Sequence, residues 1–213
     1  MDITTFERVL VLAPHTDDGE LGAGGTIAKL IESDAAVYYA AFSTAEQSVS
    51  NGFPKDILKT EVKNATAKLG IRPENLLIYN YEVRKLSYVR QEILEELIRL
   101  RSQINPDLIL LPSLHDIHQD HTTVATEGLR AFKQKTILGY ELIWNNLTFS
   151  TSCFVKLTEF HISKKCEALK EYESQKHRDY TSEEFIRALA KTRGVQIGCE
   201  FAEAFEVIRW VIS

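Results

Sequence analysis

Val9-Leu10-Val11-Leu12-Ala13 is an unbroken apolar run with no polar position to turn toward water. A strand of that composition must be covered on both faces, the condition of a central strand in a parallel sheet. The next stretch is opposite in character. Residues 14–25 hold His15, Asp17, Asp18 and Glu20, then Gly22, Gly24 and Gly25. The reading is a strand, a polar and glycine-rich loop, and a helix over about 26–32 that Ser33-Asp34 ends. This unit limits the fold more than any other feature, because a doubly covered parallel strand needs neighbours of its own kind.

Residues 36–42 read as a second strand, 55–69 as a helix with Gly70 as its C-cap, and 76–79 as a third strand. Apolar residues recur at amphipathic-helix spacing over 89–103, and Asn105-Pro106-Asp107 punctuates the chain before a fourth strand at 108–111. A helix near 122–133 comes next, then strand candidates at 137–143 and 154–157 and helices near 164–173 and 183–193. Residues 204–212 fit a closing strand or a helix. Strands alternating with helices imply an α/β fold with a mostly parallel sheet flanked by helices. With no repeat and no low-complexity linker, 1–213 is expected to be a single domain.

In open parallel sheets, ligands gather beyond the carboxyl ends of the strands, where connections diverge. Two loops therefore matter. The loop after the first strand puts His15, Asp17 and Asp18 where unpaired charge is costly, so a cation is expected among them. Asp17 and Asp18 could alternatively cap the following helix, with His15 a satisfied half-buried ring. The loop after the fourth strand, Ser113-Leu114-His115-Asp116-Ile117-His118-Gln119-Asp120-His121, packs three of the six histidines into seven positions. His118 and His121 are spaced i, i+3, so a first helical turn would bring them together. Histidines and a carboxylate around one open position describe a catalytic zinc, whereas a structural zinc is usually closed by thiolates. Cys153, Cys166 and Cys199 lie far from both loops and read as reduced, buried thiols.

His-Thr-Asp-Asp followed by Leu-Gly-x-Gly-Gly-Thr, with a later His-x-Asp-His, resembles the PIG-L (LmbE-like) zinc-dependent de-N-acetylases. Similar stretches occur at Lys59-x-Glu61-x-x-x-Ala65, Tyr172-x-Ser174-Gln175, Arg193-Gly194 and Ala202-Glu203-Ala204-Phe205. The resemblance implies a Rossmann-like single domain in which His15, Asp18 and His121 bind Zn2+ and Asp17 is the general base. It further implies that His118 assists the oxyanion or the leaving group, and that Asp120 orients and charges the His118 ring. Thr16 stands where the family usually has proline, and Gly19 where it often has glutamate, with Glu20 one place later. The implied reaction removes an N-acetyl group from an N-acetylglucosamine-type sugar or conjugate, releasing acetate and free amine. A non-catalytic domain binding metal and carbohydrate is the alternative, against which Asp17 and His118 argue.

The formal charge of −5 gives no basic footprint for nucleic acid. No apolar run reaches the roughly 18 residues of a membrane span, and the N-terminal residues lack the form of a signal peptide, so the cytoplasm is the expected location. The expected partner is a small N-acetylated sugar-type molecule, and a homo-oligomer is compatible with the sequence. Trp144 and Trp210 are expected to fill the core or an oligomer contact rather than stack on a sugar. His161 is expected near a helix start and His115 to be solvated or structural; Arg178 and Tyr180 could reach a substrate hydroxyl or phosphate, but are expected to lie with His177 on a surface loop.

Overall fold

The computed structural model describes residues 2–212. Seven strands form one sheet: β1 (Arg8–His15), β2 (Ala36–Ser43), β3 (Leu76–Ile78), β4 (Leu108–Pro112), β5 (Thr136–Tyr140), β6 (Cys153–Leu157) and β7 (Phe201–Arg209). Their order is β3-β2-β1-β4-β5-β7-β6. The first five strands in that order run parallel, and β7 pairs antiparallel with both β5 and β6. Residues 204–212, open between strand and helix from sequence, therefore lie largely in a strand. β7 enters between β5 and β6 and satisfies both of their inner edges.

Six α-helices cover the sheet: α1 (Asp18–Glu32), α2 (Ile57–Leu69), α3 (Arg90–Ile104), α4 (Gln119–Ala131), α5 (Glu159–Lys170) and α6 (Glu183–Gln196). The apolar run of β1 feeds two cores, as its alternation requires. Val9, Val11 and Ala13 face the layer holding Ile27 of α1, Val62 of α2 and Ile162 of α5. Leu10 and Leu12 face the layer holding Leu97 of α3 and Val124 of α4. Gly70 ends α2 at φ +96°, as a left-handed cap does.

One expectation fails in the first unit. The glycine-rich stretch belongs to α1, which begins at Asp18 rather than near residue 26. Close packing is the reason. A Cβ at Gly22 would stand 2.2 Å from the ring of Tyr140, and one at Gly25 would stand 2.5 Å from Leu157. These glycines let the helix approach the sheet, and burial outweighs their low helix propensity.

Candidate metal centre

β1, β2 and β3 step one way across the sheet and β4 and β5 the other, so the crevice opens between β1 and β4. His15 ends β1 and Asp18 opens α1. From the other side, His118 is the N-cap of α4, with Asp120 and His121 in its first turn. Two helix N-termini thus face one point, where their unpaired N–H groups favour negative side chains.

Three donor atoms converge there. Asp18 Oδ2 lies 3.2 Å from His15 Nδ1 and 3.2 Å from His121 Nε2, and those nitrogens are 3.1 Å apart. Zinc bonds of about 2.0–2.1 Å in a tetrahedron place ligand atoms about 3.3 Å apart. The triangle therefore has the size of one face of such a site. The outer nitrogen of each ring is also held: Asp120 Oδ2 is 3.0 Å from His15 Nε2, and Asp116 Oδ2 is 2.7 Å from His121 Nδ1. Carboxylates placed this way orient metal-binding imidazoles. His118 is a looser member, its ring nitrogen lying within 4.8 Å of those of His15 and His121. A three-histidine set is thus a second candidate, but the set containing Asp18 has edges of 3.1–3.2 Å and a formal negative charge.

The electrostatics agree with a cation site. Burial alone would lower the His15 ring, yet Asp18 and Asp120 hold it up at about 9. His121 is likewise held at about 10 against burial, by Asp18 and Asp116. Burial would raise Asp18, but His121 and His15 keep it well below the ordinary carboxylate range. The surrounding carboxylates thus favour positive charge between the rings, which a divalent ion could supply.

Asp17 is the N-cap of α1, but its side chain makes no capping hydrogen bond, which removes the capping alternative for this residue. It is buried at 8% exposure and lines the cleft beside the donor triangle. Burial and then Asp18 push its carboxyl above the usual range, while Arg178 pulls it back.

The expected pairing of Asp120 with the His118 ring does not occur. The Asp120 carboxylate crosses to His15 and also accepts the backbone N–H groups of Arg84 at 2.6 Å and Leu86 at 3.2 Å. What Asp120 offers His118 is its backbone N–H, which donates to Nδ1 at 3.2 Å. With Nδ1 accepting, the neutral ring carries its proton on Nε2. Burial, then His121 and His15, push His118 down to about 4. At neutral pH the ring is an uncharged Nε2–H donor rather than the expected imidazolium. The N-cap geometry is the physical reason, because a capping side chain turns back on its own helix.

Asp116 was not singled out from sequence, yet it holds two residues of the centre. Besides its contact to His121, its Oδ1 accepts the His118 backbone N–H at 2.8 Å. Beneath the first loop, the hydroxyls of Tyr39 and Tyr172 lie 2.9 and 2.7 Å from the Thr16 carbonyl and also meet the Glu20 carboxyl. Burial pushes Glu20 up to about 8, so it is largely protonated at neutral pH.

The cleft has a volume of about 490 Å³. Its walls include Arg84, Trp144, Gln175, Arg178 and Tyr180. Trp144 is therefore at the site, stacked on Tyr180 with centroids 3.9 Å apart, rather than in a core. The segment carrying Arg178 and Tyr180 is folded inward by Ser174, whose N–H and hydroxyl donate to buried Glu61 at 2.9 and 2.6 Å. No local signal shows that contact, which joins residues 113 positions apart. His115 and His177 are exposed, whereas His161 is buried in the capping box of α5.

Fold and site together define a doubly wound α/β protein with a histidine and carboxylate donor set at its topological switch point. The family model for PIG-L, described as GlcNAc-PI de-N-acetylase, matches residues 10–132, more than half of the chain, and the chain belongs to this family. It is 25% identical over 227 residues to the diacetylchitobiose deacetylase of Thermococcus kodakarensis, covering 95% of this chain and 83% of that protein. It is 25% identical over 171 residues to the uncharacterized deacetylase YaiS of Escherichia coli, covering 78% and 90% respectively. Among solved structures it resembles the conserved protein TT1542 from Thermus thermophilus, with a TM-score of 0.82, 25% identity and 96% of each chain covered.

Proposed function

We propose that residues 1–213 form one zinc-dependent N-deacetylase domain. It would hydrolyse the N-acetyl group of a small sugar or sugar conjugate, working in the cytoplasm. The observation that carries this reading is Asp17: a buried carboxylate beside the donor triangle that its own helix does not use. Metal binding alone would not require it. The family and the deacetylase relatives support the same reaction.

In this reading His15, Asp18 and His121 hold zinc, which when bound supplies Lewis acidity toward water and the amide carbonyl. Asp17 accepts a proton from the water that adds to the carbonyl carbon. His118 donates through Nε2–H to the carbonyl oxygen as charge builds on it. Cleavage of the C–N bond releases acetate, and the proton held by Asp17 passes to the departing nitrogen. Since the neutral His118 ring needs its Nε2 proton to remain a donor, Asp17 is the better proton source for the amine. Asp120 acts through His15 by fixing its ring, and so is a positioning residue in this scheme.

The test is acetate release by zinc-loaded protein from a panel of N-acetylated sugars and sugar conjugates. Asp17→Asn should retain its metal by elemental analysis while kcat falls by about 100-fold or more. Metal loss as complete as that of Asp18→Ala would instead place Asp17 among the ligands. A domain that only binds would release no acetate from any member of the panel.

A further inference from the structure

Two stretches that the sequence singles out, Lys59-x-Glu61 and Tyr172-x-Ser174-Gln175, take no part in the hydrolysis above. In the fold they meet. Glu61, on α2, is 3% exposed, and its two carboxylate oxygens accept the N–H and the hydroxyl of buried Ser174 at 2.9 and 2.6 Å. Among the described residues no lysine, arginine or histidine pairs with Glu61, whereas buried Glu127, Glu141 and Glu203 each meet a cation. A buried carboxylate without a cation depends on its hydrogen bonds, so Glu61 favours the one arrangement in which Ser174 supplies both.

Ser174 lies near the start of a segment with little structure of its own. Residues 171–182 join α5 to α6 through two short 3-10 turns, Glu173–Gln175 and Asp179–Thr181. The turns close on themselves: the N–H groups of Gln175, Lys176, Arg178, Thr181 and Ser182 each donate to a carbonyl three positions back. Such bonds shape the segment without fixing it to the rest of the fold, so side chains must dock it. Tyr172 meets Thr16 and Glu20, Ser174 meets Glu61, and Tyr180 stacks on Trp144 with the rings 11° from parallel. Between the last two contacts, Gln175 and Arg178 line the cleft. Burial and Asp18 raise the Asp17 carboxyl, and Arg178 opposes them more strongly than His15 does. The place of this segment thus decides how a guanidinium stands toward the proposed base.

We infer that Glu61 and Ser174 are positioning residues: their contact latches residues 171–182 onto α2 and so sets the cleft wall formed by Arg178 and Tyr180. The consequence for catalysis rests on the deacetylase reading above, and the latch itself does not. With the latch open, Tyr180 leaves Trp144 and Arg178 leaves its place in the wall, so the chemical step suffers more than substrate binding.

Trp144 and Trp210 are the two tryptophans of the chain, so a Trp210→Phe chain isolates Trp144 as a reporter of the Tyr180 stack, with or without metal. In that background Ser174→Ala removes one donor and Glu61→Ala removes both acceptors. Both should shift Trp144 emission to longer wavelength, raise its quenching by acrylamide toward that of Tyr180→Ala, and quicken amide exchange across residues 175–182. On zinc-loaded chains with unchanged metal content and far-UV circular dichroism, kcat for acetate release should fall about tenfold or more while KM changes less. Glu61→Gln can accept the Ser174 N–H through its oxygen and donate to Ser174 Oγ through its amide, so it should restore the Trp144 signal and most of kcat. That variant lacks the carboxylate charge and so separates the contact from a long-range effect of the charge. Should Glu61→Ala fail to fold, Ser174→Ala and Glu61→Gln carry the test. Trp144 signals and exchange that stay unchanged in the folded alanine variants overturn the latch, and so does a Glu61→Gln chain as impaired as the alanine variants. A changed Trp144 signal with kcat intact overturns the positioning role. Absence of acetate release from the unsubstituted chain would count against the deacetylase reading alone, and the Trp144 signal would then decide the latch.

Discussion

At the scale of single residues, what matters is which partner each charged group faces. Asp120 lies two positions from His118, yet its carboxylate serves His15. Asp120→Asn should therefore loosen the His15 ring and weaken zinc binding about 10–100-fold, as loss of an outer partner does. It should move any alkaline limb of the kcat/KM profile little, since that carboxylate does not contact the His118 ring and its charge there is outweighed by burial, His121 and His15. Competition with a metal chelator measures the first effect and a pH series the second; a limb that moves to lower pH would restore the Asp120–His118 couple. In the proposed mechanism the acid limb belongs to Asp17. Burial and Asp18 raise its pKa, and only the ionised form accepts a proton. Activity should fall as pH drops through a value above the ordinary carboxylate range, and the limb should be absent from the residual rate of Asp17→Asn.

At the scale of elements, α1 carries the design. Its first residue, Asp18, is a donor of the proposed centre, and its glycines set how near it lies to β5 and β6. The helix is gripped from the side by a buried ion pair: Lys165 donates to the Leu21 carbonyl and to Glu203, and Glu203 accepts the N–H groups of Gly25 and Thr26. In an exposed helix, replacing glycine by alanine would gain up to about 1 kcal/mol. At Gly22 the new methyl would meet the buried Tyr140 ring at 2.2 Å, so overpacking outweighs propensity. Gly22→Ala should destabilise the fold by about 1–3 kcal/mol, read as a lower urea midpoint. A higher midpoint would mean that the ring can yield and that the glycine is not needed for contact.

At the scale of the whole molecule, the proposed centre would tie the two halves of the sheet together. His15 and Asp18 come from the β1 side and His121 from the β4 side, so an ion held there would bridge segments more than 100 residues apart. An ion that binds only the folded state adds about 4 kcal/mol when free metal is 1,000 times its dissociation constant. For a chain of this size that is a rise of roughly 10 °C in Tm. Stripping zinc with chelator should lower Tm by about that amount and zinc should restore it, while His121→Ala should show little zinc-dependent increment. A Tm indifferent to zinc in the unsubstituted chain would count against this donor set.

The α/β architecture, the parallel core and the two loops of the switch point were legible in the sequence, because strand burial and helix amphipathicity are periodic and local. Val9 to Ala13 could be little else, and the spacing of His118 and His121 announces a shared helical turn. The length of α1 was not legible, because glycine has low helix propensity, and only the distance to Tyr140 and Leu157 shows why it is there. The partner of Asp120, the bracing by Asp116, the inward fold of Arg178 and the place of Trp144 in the cleft wall were likewise hidden. Each depends on contacts between segments far apart in the chain, and no local pattern encodes which carboxylate will face which ring once the strands have set the loops side by side.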